Sequence, residues 1–241
     1  VTETTTLAAV VHGESGSGKS YFGGTTPAPR LILECEGGSR FIRANRRKRF
    51  WDPLTEPVPE WDDDWDACFV RASDWATVYA AYEVLATGNH PFRSLVVDSL
   101  TEAQKRLIDD VAGIDQPTLQ EWGTVGRNLE DFVRKLRDLT FIPSKPLEAV
   151  VLLCLSHQRD GELRPFLKGQ IELNLPAFVD VVGYLYTDSA TGVITHNMLI
   201  APARNIIAKD RTAFLTDKYG MVVQDANFTE WLSIIDKELN Q

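Results

Sequence analysis

The residues with the most evident chemistry are Gly13-Glu14-Ser15-Gly16-Ser17-Gly18-Lys19-Ser20. Their spacing, G-x-x-x-x-G-K-S, is the phosphate-binding P-loop pattern. Gly13, Gly16 and Gly18 free the backbone for conformations that a Cβ would block. The N–H groups of the loop can then turn inward on phosphate oxygens, with the partial positive charge of a helix N-terminus behind them. In such a loop Lys19 reaches the β- and γ-phosphates and the Ser20 hydroxyl ligates Mg²⁺. The context fits, because the apolar run Leu7-Ala8-Ala9-Val10-Val11 leads into the loop as a buried strand.

Three further polar sites stand at the ends of apolar runs. Asp98 closes Ser94-Leu95-Val96-Val97 and is placed to hold Mg²⁺, although a plain helix cap is the bland alternative. The next residue is Ser99, so no Glu directly after Asp98 can activate a water. Glu36, at the end of the strand Arg30 to Glu36, is the candidate to orient and deprotonate that water, with Glu34 as runner-up. His157-Gln158 follows Val150 to Ser156, the most hydrophobic run of the chain. Ligands of open parallel sheets bind at strand carboxyl ends, and all four sites fall there.

The elements that must position these residues read as follows. Asp74 to Thr87 is a helix with Trp75, Val78, Tyr79, Tyr82 and Leu85 on one face, an aromatic stripe that reads as core. Ser99 and Glu102 form a capping box for a helix that Gly113 breaks. Trp122 to Leu136 is a long amphipathic helix. Residues 159–174 read as a polar loop. Val181 to Tyr186 and Val193 to Ile200 read as a hairpin, and Asn227 to Leu239 as a closing helix. Strand–helix alternation followed by a hairpin predicts an α/β fold: a mostly parallel central sheet flanked by helices, with an antiparallel hairpin edge. One domain over 1–241 is expected, with an irregular excursion at about 37–67. There Arg40, Arg43, Arg46, Arg47, Lys48 and Arg49 precede an acidic, Trp-containing stretch. The two halves either neutralise each other or form a path for single-stranded nucleic acid, cations on phosphates and aromatics on bases.

The chain has 241 residues, 44% of them hydrophobic, enough for a sizeable core. No apolar run approaches membrane-spanning length, and three scattered cysteines suit core positions in a reducing cytoplasm. The four histidines form no metal pattern. A net charge of −9 argues against coating of duplex nucleic acid but permits a local basic channel.

Taken together, Glu36, Asp98 without an adjacent Glu, and Gln158 at the end of a core strand resemble the RecA-like ATPases, the class of RecA, RadA and KaiC-type proteins. The resemblance implies ATP and Mg²⁺ as cofactors, Glu36 as catalytic base and Gln158 as a sensor of nucleotide state. It also implies a DNA-binding loop at 159–174, carrying Arg159, Arg164 and Lys168. Lys209-Asp210-Arg211 resembles the Lys-Asn-Arg motif of RadA-type proteins, which reaches the nucleotide of a neighbouring subunit; the middle Asp departs from it. Glu36-Gly37-Gly38, Trp122 to Val125, Phe178 to Tyr184 and Ala208 to Arg211 are similar to small phage-encoded RecA-like proteins of single-strand annealing and recombination. That likeness implies single-stranded DNA as partner, self-association in a ring or filament with nucleotide between subunits, and a single-strand-binding protein as a further partner. A P-loop small-molecule kinase and a nucleotide-switched binding module are the alternatives. A GTPase is disfavoured, since neither Asn-Lys-x-Asp nor an Asp-x-x-Gly after Asp98 is present.

Overall fold

A computed structural model describes residues 4–38, 46–189 and 192–240. Its first half runs β1 (Leu7–Gly13), α1 (Lys19–Gly23), β2 (Arg30–Glu34), β3 (Arg47–Phe50), β4 (Trp65–Arg71), α2 (Trp75–Ala86), β5 (Ser94–Asp98), α3 (Leu100–Ala112) and α4 (Leu119–Asp138). Its second half runs β6 (Ala149–Arg159), β7 (Glu162–Pro165), α5 (Ile171–Phe178), β8 (Val181–Asp188), β9 (Thr195–Leu199), β10 (Lys209–Asp210), α6 (Phe214–Tyr219), β11 (Val222–Gln224) and α7 (Phe228–Leu239).

The sheet order is β11-β9-β8-β1-β6-β5-β2-β4-β3, with β10 beside β8 and β7 beside β6. From β8 to β3 every neighbouring pair is parallel. β9, β10 and β11 add antiparallel pairing at the β8 edge. This is the mostly parallel α/β sheet with an antiparallel hairpin edge that the strand–helix alternation predicts. β1 is buried along its whole length between two parallel neighbours. A strand covered on both faces needs apolar side chains on both sides of its pleat, which is why Leu-Ala-Ala-Val-Val shows no alternation.

Each face of the sheet carries its own core. Val10, Leu33 and Val97 pack with Leu107 of α3, Leu129 of α4 and Leu175 of α5. Val11, Ile32 and Val96 pack on the other face with Phe22 and Trp231. The α2 aromatics are core, as expected: Trp75, Tyr79 and Tyr82 surround the Phe132 ring at 4.7, 6.2 and 5.9 Å. Thr118 and Glu121 close a capping box at the start of α4. Cys35, Cys68 and Cys154 are buried and free. No helix among the described residues is long and apolar enough to cross a membrane.

Two segments differ from the sequence reading. Residues 46–67 are more ordered than an irregular excursion. Arg47–Phe50 adds a parallel strand to β4, and Trp51 and Trp65 are buried within 6.2 and 6.0 Å of the Phe92 ring. Burying each indole contributes about 2–3 kcal/mol, more than the exposed ion pairs nearby, so the tryptophans fix this segment. The second difference is β6, which runs on through His157 and Gln158 to Arg159. It turns at Asp160 and Gly161, φ 51° and 82°, and returns as β7. Asp-Gly with both residues at positive φ makes the two-residue turn that matches strand twist. The polar loop expected at 159–174 is therefore a hairpin arm followed by the start of α5.

Candidate active site

Parallel register brings the strand ends level. Gly13 lies opposite Leu155, and Glu34 opposite Asp98, which itself lies opposite Leu153. The P-loop leaves β1 at Gly13, where a Cβ would sit 2.3 Å from the Leu185 carbonyl oxygen, so only glycine fits. Gly16 and Gly18 adopt φ of 81° and 103°, a region that disfavours side chains. The loop then enters α1 at Lys19.

A cleft of about 660 Å³ opens above the loop, lined by Ser15, Gly16, Gly18, Lys19, Ser20, Tyr21, Glu36, Gly38, Asp98 and Leu155. Lys19 is buried, and its Nζ donates to the carbonyls of Gly13 and Glu14 at 2.9 and 2.7 Å. Burial lowers its pKa below the ordinary lysine range, and the carboxylates of Glu36 and Asp98 oppose that shift. The Ser20 hydroxyl donates to Asp98 Oδ2 at 2.6 Å. Burial raises the Asp98 pKa; the Ser20 bond and the Lys19 charge work against this, and Glu36 adds to it. Glu36 sits on the bend after β2 and accepts a hydrogen bond from the Ser99 hydroxyl.

The residues expected from the sequence divide into those that converge here and those that do not. Gly13 to Ser20, Glu36 and Asp98 converge. Glu34, the alternative base, ends β2 within 4.0 Å of Arg71 and does not line the cleft. Gln158 is exposed on the hairpin arm, three residues beyond the cleft-lining Leu155, roughly 10 Å along an extended strand. Lys209 Nζ donates to the carbonyls of Pro176 and, at 2.7 Å, Val179. Arg211 donates to the Ala177 carbonyl at 2.8 Å and to Asp180 at 3.2 Å. Both cations therefore serve the C-terminal end of α5, where the helix dipole favours positive charge.

The basic groups assigned to nucleic acid are spread out. Arg40 and Arg43 lie outside the described residues. Arg46 meets Asp63 and Asp66, and Arg47 meets Asp62 and Asp64, at the far edge of the sheet. Five inter-strand steps separate β3 from β1, roughly 24 Å. On the hairpin side, Arg159 Nη1 lies 3.0 Å from Glu172 and Arg164 Nε lies 3.5 Å from it. His157 Nε2 meets the same carboxylate at 2.8 Å, and Glu172 is buried beneath all three. Lys168 Nζ stands 5.4 Å over the Trp122 ring.

Two histidines without a sequence-based role brace the loop. His196 Nδ1–H donates to the Ser17 carbonyl at 2.8 Å. His12, fully buried one residue before the loop, donates from Nε2 to the Ile207 carbonyl and accepts from Ser156 at Nδ1, both at 2.8 Å. These partners lie 144 to 195 residues away, so no local signal marks them.

Whether this cleft suits a nucleotide with Mg²⁺ follows from its donors. Ser20 and Asp98 offer hard oxygens to a cation that takes one or two protein ligands plus phosphate oxygens. Among the described residues no group of three or more His, Cys, Asp or Glu side chains could hold a metal, so no all-protein metal cage competes. The residues fit. A P-loop nucleoside-triphosphatase domain on a mostly parallel α/β sheet is thereby defined. The chain belongs to the AAA_24 family of AAA domains, which matches residues 5–212. No curated protein matches it. Among solved structures it is similar to a KaiC-like protein of the hyperthermophilic archaeon Pyrococcus horikoshii OT3. The two share 15% identity at a TM-score of 0.42, over 82% of this chain and 79% of that one.

Proposed function

We propose that the protein hydrolyses ATP in the Lys19–Glu36–Asp98 cleft and couples turnover to single-stranded DNA, as a phage-encoded RecA-like annealing or recombination protein. The observation that carries the ATPase half is convergence: the P-loop, a buried Asp paired with Ser20, and the Glu36 carboxylate from the bend after β2 line one cleft. The DNA half rests on the resemblance of Glu36-Gly37-Gly38 and Ala208 to Arg211. It is also supported by Arg159, half-exposed on the hairpin arm after the cleft.

Each residue has a distinct task. Backbone N–H groups of Ser15 to Ser20 bind the phosphates, and Lys19 swings from the Gly13 and Glu14 carbonyls to the β- and γ-oxygens. Ser20 and Asp98 would hold Mg²⁺, which would supply neutralisation of the phosphate charge. Glu36 orients the attacking water and accepts its proton. Self-association, with nucleotide between copies, is part of the proposal. Arg211 or Lys209 acts there only after release from α5.

The test is ATP hydrolysis with and without short single strands, read alongside native mass. Stimulation by single strands and an assembly larger than one chain are expected; ATP turnover indifferent to DNA would leave the ATPase and remove the DNA coupling. Lys19→Ala should lose ATP binding and turnover together. Glu36→Gln should bind ATP normally and lose turnover by a factor of about 100 or more, the scale of a general base.

A further inference from the structure

We infer that Ser99 is the positioning residue for Glu36, a role separate from its capping of α3. The inference rests on the reading of Glu36 as base. Ser99 is fully buried at the junction of β5 and α3. Its oxygen accepts from the Glu102 N–H at 3.3 Å, and its hydroxyl donates to Glu36 Oε1. A serine hydroxyl has one proton and two lone pairs. The N–H of Glu102 claims a lone pair, and a carboxylate, which only accepts, claims the proton. Both capacities of the side chain are thus used, in different directions.

Glu36 needs such a partner. It lies beyond the last paired residue of β2, Glu34, and is followed by Gly37 at φ 78° and by Gly38. A backbone of that kind does not fix where a carboxylate points. Among the described residues Ser99 is the side chain that hydrogen-bonds it. Ser99 is itself tied to the metal-binding strand, being the residue after Asp98. The hydroxyl therefore sets the base against the Ser20–Asp98 pair from a rigid helix start. A Glu at position 99 would supply a base; the Ser found there holds one supplied by the bend after β2.

Capping and positioning separate by substitution. Gly caps a helix nearly as well as Ser, but it has no hydroxyl to donate to Glu36. Ser99→Thr keeps both functions, Ser99→Ala removes both, and Ser99→Gly removes the donor while largely sparing the cap. Steady-state ATP hydrolysis, ATP binding and thermal melting are measured for these three and for Glu36→Gln. Positioning by Ser99 predicts kcat lowered up to about 100-fold in both S99A and S99G, the cost of a misplaced group. ATP affinity should stay within about threefold of wild type, since only the transition state loses an interaction. S99T should restore kcat, and S99G should melt close to the wild type. Wild-type kcat in S99G, with E36Q inactive, overturns positioning by Ser99 and leaves Glu36 as base. Wild-type kcat in E36Q overturns the base assignment, and this inference with it.

Discussion

Asp98 shows how function and stability pull apart at a single residue. Its carboxylate is buried at the end of β5, so its pKa is raised in the folded chain. The folded state then holds its proton more tightly than the unfolded state. Stability from this group is greatest near and below its unfolded value of 3.8 and falls as pH rises through the elevated folded value. Asp98→Asn removes the ionised form and keeps an oxygen for the Ser20 hydroxyl. It is expected to raise the melting temperature by a few degrees at neutral pH while abolishing Mg²⁺-dependent turnover, on a scale of about 2–4 °C per kcal/mol for a chain of this size. Calorimetry of the two proteins checks the sign; a lower melting temperature in the variant would show that ionised Asp98 is needed by the fold.

Among the elements, α5 is held from both ends by charge. Glu172 in its first turn collects His157, Arg159 and Arg164 from the hairpin, and Lys209 and Arg211 bind the carbonyls at its last turn. The helix thus links the arm beyond the cleft to the segment whose sequence resembles a trans-acting motif. Lys209→Ala deletes two charge-assisted bonds at a helix C-terminus and should cost about 1–2 kcal/mol. The measurement is a urea midpoint in dilute protein. Unchanged stability would free Lys209 from its role on α5 and strengthen a role on a neighbouring copy. The hairpin itself was legible in the sequence, since Arg159-Asp160-Gly161-Glu162 carries the Asp-Gly turn signal between strand-forming residues. The charges around that turn mask its signal, since Arg159, Asp160, Glu162 and Arg164 give the segment the polarity of a loop.

At the scale of the whole molecule, two buried histidines make the fold acid-sensitive. Burial pushes His12 and His90 from 6.5 down to about 4. Below 6.5 the unfolded chain binds protons that the folded chain refuses, so stability falls as pH drops from about 6.5 towards 4. Each histidine contributes on the order of 3 kcal/mol to that loss, at 1.36 kcal/mol per unit. Urea midpoints at pH 7 and pH 4.5 should differ strongly. His90→Phe, stacking in its place on Phe92, should flatten the dependence; an unaltered slope would assign the acid sensitivity to other groups. Arg46 and Arg47 are matched by Asp62 to Asp66, and Arg159 and Arg164 by Asp160, Glu162 and Glu172, so both basic clusters are met by carboxylates within the chain.

The sequence by itself determined the phosphate site, the buried parallel strands and the carboxylates at their ends. Those features are local: a glycine spacing, an unbroken apolar run, an acid at a strand terminus. It also placed Glu36 and Asp98 among the candidates without saying which of Glu34 and Glu36 lines the cleft above the P-loop. Only the tertiary structure brings Glu36 there, because the aim of a side chain on a bend depends on the partner opposite it, here Ser99 at the start of α3. The same holds for Lys209 and Arg211, whose targets are carbonyls at the C-terminal end of α5, 30 or more residues away. A cation's type is written in the chain, but its partner is set by which elements the sheet brings together.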